Sequence, residues 1–185
     1  SKVGPSVAKD ITYGAIVSVF LALVFIFLYI LLRFRNLGFS IGSIVALAFD
    51  TLIVIGFYSV CWGWIPFSLE IDQTFIGAIL TVIGYSINDK VVVFDRIREN
   101  LNGRKDSSVL DQIVDDSITQ TLTRSINTSI TTFIMVFMLG ILGVDSVKDF
   151  AIPLMAGIIC GAYSSVCITG TLWYTMKRKL GKKNA

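Results

Sequence analysis

The chain has 185 residues, of which 54% are hydrophobic and 16% are charged, and its formal net charge is +3. Soluble domains average about 25% charged residues, so this composition is typical of a membrane protein. The sequence contains no histidine, and it therefore lacks the most common metal ligand and proton shuttle. We find no phosphate-binding loop, nucleophile elbow or basic-aromatic pattern. The sequence predicts a protein that is not an enzyme and that has no cofactor, no metal site and no nucleic-acid partner.

Five apolar runs are long enough for spanning helices, which need about 20 mostly apolar residues. The predicted spans cover residues 11–32, 39–62, 71–95, 118–142 and 150–176. The sequence therefore predicts an all-α fold, a polytopic bundle of five spans that forms one transmembrane domain over residues 1–185.

The link between the third and fourth spans, residues 96–117, contains a helical pattern of its own. Val109 and Ile113 lie on an apolar face, and Asp111 and Asp115 lie on the opposite face. The pattern predicts either a short amphipathic helix lying at the cytoplasmic interface or a plain extension of the following span.

Lysine and arginine collect in alternate links, and this distribution predicts the orientation. Eleven cations fall on one side: Arg33, Arg35, Arg96, Arg98, Arg104, Lys105, Lys177, Arg178, Lys179, Lys182 and Lys183. The other side holds only three, Lys2, Lys9 and Lys148. Cytoplasmic links carry the excess of Lys and Arg. The pattern thus predicts a multi-pass protein in contact with membrane lipid, with its N-terminus outside and its C-terminus in the cytoplasm.

Four ionisable residues lie within the predicted spans: Asp50, Asp89, Lys90 and Arg124. A charge at the centre of a spanning helix costs about 2.5–3.5 kcal/mol on insertion scales, so such residues normally have a partner or a function. Asp89 and Arg124 fall at similar depth, and we expect them to come together across the third and fourth spans. They fit either a fixed structural ion pair or a titratable carboxylate in a proton path, gated by an arginine that keeps its proton.

Lys90 precedes Arg96 by six residues, about 9 Å along the helix. At this distance a lysine side chain can snorkel, so that its ammonium reaches the cytoplasmic interface. Helical side chains lean toward the helix N-terminus, however, which here points Lys90 away from the nearest water. We therefore expect Lys90 to face the protein interior, with Asp50 as its candidate partner. Asp50 fits equally a second proton relay or a carboxylate bonded to a neighbouring hydroxyl.

A stripe of hydroxyl side chains accompanies Arg124 along the fourth span. It fits packing between helices, since Ser and Thr bond across helices, or a route that holds water beside Arg124. The predicted supporting polar path comprises Ser86, Asn88, Lys90, Thr121, Ser125 and Thr128.

Two small-xxx-small motifs occur, Gly38-x-x-x-Gly42 and Gly157-x-x-x-Gly161. In a bundle of several spans, such motifs favour close packing of helices within the chain over dimerisation.

The chain also resembles a known family. The resemblance lies in GYSIND at residues 84–89, VVVFDRIREN at 91–100, TQTLTRS at 119–125 and the opening VGPSV at 3–7. These strings are similar to SecF, the smaller half of the SecD–SecF protein-export membrane complex and a relative of the proton-driven RND exporters. In that family the matching aspartate and arginine are implicated in proton transport, which implies this role for Asp89 and Arg124. Asp50 matches an aspartate usually preceded by histidine, where this chain has Phe49, and Lys90 replaces a small hydroxyl residue.

The resemblance implies a component of the Sec export machinery in the bacterial cytoplasmic (inner) membrane, which uses proton flow to promote translocation. The alternative is a structural subunit that stabilises SecD or the translocon without conducting protons. The implied partners are SecD, separate or fused, the Sec translocon channel and the exported unfolded polypeptide. SecF-like proteins carry six spans, with an extracytoplasmic domain after the first. The chain starts where the second span would, so the resemblance also implies an excised fragment.

Overall fold

The computed structural model describes residues 5–61, 72–102 and 110–183. These residues form six α-helices and one π-helical turn, in an arrangement without strands over the described ranges. The elements are α1 (Pro5–Phe34), α2 (Leu37–Cys61), α3 (Gln73–Leu101), α4 (Leu110–Leu142), α5 (Asp145–Ser164), the π turn (Ser165–Thr169) and α6 (Gly170–Lys183).

Five stretches of helix are long and apolar enough to cross a membrane. The first four are α1 to α4, and the fifth runs continuously from α5 through the π turn into α6. The predicted all-α bundle of five spans is confirmed. A π turn inside the last span was not predicted, because Ser165–Thr169 carries no glycine or proline signal.

α3 lies at the centre of the bundle, where it packs against α1, α2, α4 and α5. α1 is peripheral and packs against α2 and α3. Only 6% of the most apolar window of α1 is buried inside the chain, against 44% for α3. Because α3 is surrounded by other helices, its charged residues can find partners within the protein. Because α1 is peripheral, most of its surface is exposed and apolar.

Two apolar clusters fill the interior of the bundle. The first, the Val82 cluster, contains Leu47, Val54, Val82, Ile83 and Ile158 among others. The second, the Trp173 cluster, joins the ends of α1, α2, α3 and α6 through residues that include Phe39, Val93, Phe94 and Trp173. On α3, the last buried residue of the Val82 cluster is Ile83, and the first of the Trp173 cluster is Val93. Asp89 and Lys90 therefore lie between the two clusters.

Glycines allow α3 and α5 to approach closely. A Cβ atom added to Gly157 would lie 2.1 Å from a methyl group of Val82, and one added to Gly161 would lie 2.9 Å from the hydroxyl of Ser86. The Gly157-x-x-x-Gly161 motif therefore packs helices within the chain, as predicted.

The predicted link at residues 96–117 is mostly helix in the part that the structure describes. α3 extends to Leu101, and the short amphipathic helix expected after it is instead the beginning of α4, which starts at Leu110. The second of the two alternatives is thus the observed one. Its physical reason is that Leu110 and Val114 pack into the Trp173 cluster, so this apolar face is buried by protein. Residues 103–109 of the link lie outside the described residues.

Candidate functional site

Lys90 and Asp50 form a buried ion pair between α3 and α2. The Nζ atom of Lys90 lies 2.7 Å from Oδ2 of Asp50, and both side chains have no exposed surface. The prediction that Lys90 faces the interior and pairs with Asp50 is confirmed. Side chains on a helix point toward its N-terminus. The Lys90 ammonium therefore lies beside Ser86, one turn earlier, in the centre of the bundle.

Two serines complete the environment of the Lys90 ammonium. Nζ donates a hydrogen bond to the hydroxyl of Ser86 and another, of 3.0 Å, to the hydroxyl of Ser164 on α5. Ser86 in turn donates to Oδ2 of Asp50. Sequence reasoning included Ser86 but missed Ser164. The Gly157-x-x-x-Gly161 motif marks a packing face of α5 on which Ser164 lies, but the sequence does not show that α3 is the helix that meets this face.

Ser164 is the last residue before the π turn, and its backbone is tied to that turn. The hydroxyl of Thr169 donates to the carbonyl oxygen of Ser164 at 3.0 Å, five residues back. Single π turns inside α-helices are frequent at functional sites. The buried ion pair is therefore connected directly to an irregularity in the last span.

Asp89 is the second buried carboxylate, and it is only 5% exposed. The groups that act electrostatically on it are the cations of Lys90 and Arg124 and the hydroxyl of Thr128. The expected direct contact is not observed: Arg124 acts on Asp89 electrostatically, but no salt bridge of 4.0 Å or less joins them, because Arg124 lies on the exposed face of its helix. Over the described ranges, Oδ2 of Asp89 has no hydrogen-bond partner. The carboxylate is thus held near two cations without a fixed ionic contact to Arg124.

Arg124 lies on an exposed face of α4, about 27 Å along the helix from Leu142. Thr123, Asn127 and Thr131 are exposed on the same helix surface. This polar surface lies within a helix that is long and apolar enough to cross a membrane, where exposed charged groups are costly. An exposed arginine at such a position requires a polar partner.

The other predicted path residues divide into two groups. Thr121 and Ser125 are buried, and Thr128 is half-buried, whereas Asn88 is exposed and does not join the buried cluster. The hydroxyls of Thr121 and Thr128 donate to backbone carbonyls of their own helix, three and four residues back. Such back-bonding satisfies the hydroxyl donor but leaves its oxygen free to accept a hydrogen bond from water.

The DRIREN segment has a structural role that sequence reasoning did not identify. The Nε atom of Arg96 donates to the side chain of Gln120, and Arg96 also forms a 2.6 Å salt bridge with Glu99. Asn100 donates to the hydroxyl of Ser117 at 2.8 Å. These bonds tie the end of α3 to the early turns of α4, so that the two helices are fastened beside the charged residues.

These features define a class of protein. The chain is a polytopic α-helical membrane protein with two carboxylates and a lysine buried at the centre of its spans. Among the described residues, no group of three or more His, Cys, Asp or Glu side chains is placed to hold a metal ion. The groups present can bind, hold or release a proton.

Comparison with known proteins identifies the family. The model for the C-terminal region of the protein export membrane proteins SecD and SecF matches residues 1–179. The chain therefore belongs to the SecD/SecF C-terminal family of protein-export membrane proteins, and the resemblance to SecF is confirmed.

Individual relatives agree with this assignment. The chain is 50% identical to the protein translocase subunit SecF of Rhodothermus marinus over 166 residues, which are 90% of the chain and 53% of that protein. It is 40% identical to the protein translocase subunit SecDF of Bacillus subtilis, covering 24% of that protein. The crystal structure of Thermus thermophilus SecDF, a translocon-associated membrane protein, matches with a TM-score of 0.82 and 39% identity, over 95% of this chain and 23% of that one. The chain thus spans about half the length of the SecF relatives that it matches.

Proposed function

We propose that the chain is the membrane part of a SecF-type subunit of the protein-export machinery, and that it uses proton flow across the membrane to promote translocation. The observation that carries the proposal is Asp89, a buried carboxylate within a span that has no fixed salt bridge to Arg124. Family membership supports the link to protein export.

The neighbouring charges suggest how Asp89 would handle a proton. Lys90 is committed to Asp50 by a 2.7 Å ion pair, so it does not neutralise Asp89 through a direct contact. Arg124 cannot lose its proton. Movement of α4 that brings Arg124 closer would stabilise the Asp89 carboxylate, and withdrawal would favour the protonated acid. Proton binding and helix movement would then be coupled.

The test is Asp89→Asn in the complete complex, in membrane vesicles with an imposed proton gradient. The asparagine keeps the shape of the side chain but cannot carry a proton, so we expect proton flux and gradient-dependent export to fall to background while the complex still assembles. Asp116→Asn is the matched control, because it makes the same chemical change at an exposed carboxylate. Normal export by Asp89→Asn would refute the motor function.

A structural subunit without proton conduction is the second candidate. It is favoured by the ion pair of Lys90 and Asp50, which with Ser164 joins three helices and so has an obvious role in assembly. In this case Asp89 and Arg124 would serve only to hold partners together. The Asp89→Asn experiment separates the two functions.

A partner that covers the exposed polar face of α4 is part of the proposal. We propose the SecD half of the complex, fused or separate, since relatives include the fused SecDF proteins. A buried carboxylate or carbonyl of that partner would satisfy Arg124. The translocon channel and the exported polypeptide complete the proposed set of partners, and the role in export is not enzymatic.

The proposed location is the bacterial cytoplasmic membrane, with the N-terminus outside. A single cysteine at Asn102 is expected to react with a membrane-impermeant thiol reagent only from the cytoplasmic side, and one at Asp145 only from the outside. Both side chains are exposed. Cys61, Cys160 and Cys167 are replaced by alanine in the background protein to prevent their own labelling. Reaction of both positions from the same side would contradict the predicted topology.

A further inference from the structure

The environment of the Lys90 ammonium is a complete cage of oxygen atoms. An ammonium group has three donors, and Nζ has three acceptors: Oδ2 of Asp50 and the hydroxyl oxygens of Ser86 and Ser164. The serine protons point elsewhere, because Ser86 donates to Asp50 and Ser164 donates to the carbonyl of Gly161 at 3.2 Å. Both hydroxyls therefore present lone pairs to the cation at the centre.

Oxygen sets of this kind bind hard cations. In membrane transporters such sites lie near the middle of the bilayer, where a helix is irregular. The oxygens here come from three helices, and the π turn begins directly after Ser164. This oxygen set and its position beside an irregular turn are features that cation sites in membrane transporters share.

The second carboxylate oxygen of Asp50 accepts no hydrogen bond from the ammonium. Oδ1 of Asp50 is buried and, within the described ranges, has no hydrogen-bond partner. The site thus offers one more oxygen than the three donors of Lys90 can satisfy.

We propose that Asp50, Ser86 and Ser164 form a monovalent-cation site that Lys90 keeps filled with its own tethered ammonium. Lys90 is therefore a specificity-determining residue, which keeps sodium and potassium out of the centre of the bundle. One consequence rests on the proposed function: in a chain that conducts protons, Lys90 would exclude sodium and potassium as coupling ions and leave only the proton.

The test is the response of the unfolding temperature to salt. The wild-type protein and the Lys90→Ser variant are purified in detergent, and their thermal unfolding is measured in NaCl, KCl or choline chloride at equal ionic strength. The wild type is expected to melt at the same temperature in all three salts. Lys90→Ser is expected to melt lower in choline and to gain roughly 3–5 °C for each tenfold rise in Na⁺ or K⁺ above its dissociation constant.

Two controls identify the cause of any response. Asp50→Asn/Lys90→Ser lacks the carboxylate, so its melting should not depend on the cation. Lys148→Ser removes a lysine whose ammonium lies 3.5 Å from an exposed carboxylate, and it should also show no dependence.

The proposal is overturned if folded Lys90→Ser melts alike in all three salts, or if the wild type responds specifically to Na⁺ or K⁺. A Lys90→Ser protein that folds only with Na⁺ or K⁺ supports the site, whereas failure to fold in every salt counts against it. The readout involves no proton flux, so this result and that of Asp89→Asn can fail independently.

Discussion

Lys90→Met is expected to lower the free energy of unfolding by about 3–5 kcal/mol, because it leaves the Asp50 carboxylate buried without its cation. Methionine retains the unbranched apolar stem, so the loss of packing is small. Both members of the pair have no exposed surface, which removes solvent as a substitute partner. Denaturant unfolding of the purified protein in detergent measures the difference.

Removal of both charges should be far less harmful than removal of one. Asp50→Leu/Lys90→Met is expected to recover most of the stability lost by either single change, since an apolar pair of similar volume can replace a buried ion pair. Lys148→Met provides the contrast. Its 3.5 Å pair with Asp145 is at the surface, so its loss should cost at most about 1 kcal/mol. Wild-type stability of Lys90→Met would show that the pair does not hold the helices together.

Gly157→Ala is expected to lower the free energy of unfolding by about 1–3 kcal/mol through overpacking. The new methyl group would lie 2.1 Å from a methyl group of Val82, which is itself only 1% exposed and has little room to move. Either α3 and α5 must separate or Val82 must leave its rotamer. The same unfolding measurement detects the loss.

Gly84→Ala is the matched control for that change. Gly84 lies on α3, and a Cβ atom there would meet nothing within 4 Å. Its stability should be unchanged or should rise by up to about 1 kcal/mol, because alanine favours helix over glycine. Gly157→Ala/Val82→Ala should recover part of the loss by clearing the space. Equal stabilities for Gly157→Ala and Gly84→Ala would contradict the close packing of α3 on α5.

The sequence determined the spans and one contact of the site. Apolar runs of about 20 residues fix helices in a membrane locally, because backbone groups in lipid must bond within their own segment. The pairing of Lys90 with Asp50 also followed from local rules. The lean of a helical side chain aimed the ammonium inward, and the cost of an unpaired charge required a carboxylate.

Tertiary structure decided which other groups meet these charges. Ser164 joins Lys90 because α5 approaches α3 over Gly157 and Gly161, and the π turn after Ser164 has no local sequence signal. The sequence predicts similar depths for Arg124 and Asp89, yet depth does not set the rotation of α4. The packing of α4 on α3 and α5 buries Thr121 and Ser125 and leaves Arg124 on the outer face. Helix rotation depends on the sum of many contacts between helices, and no single segment of the sequence contains that sum.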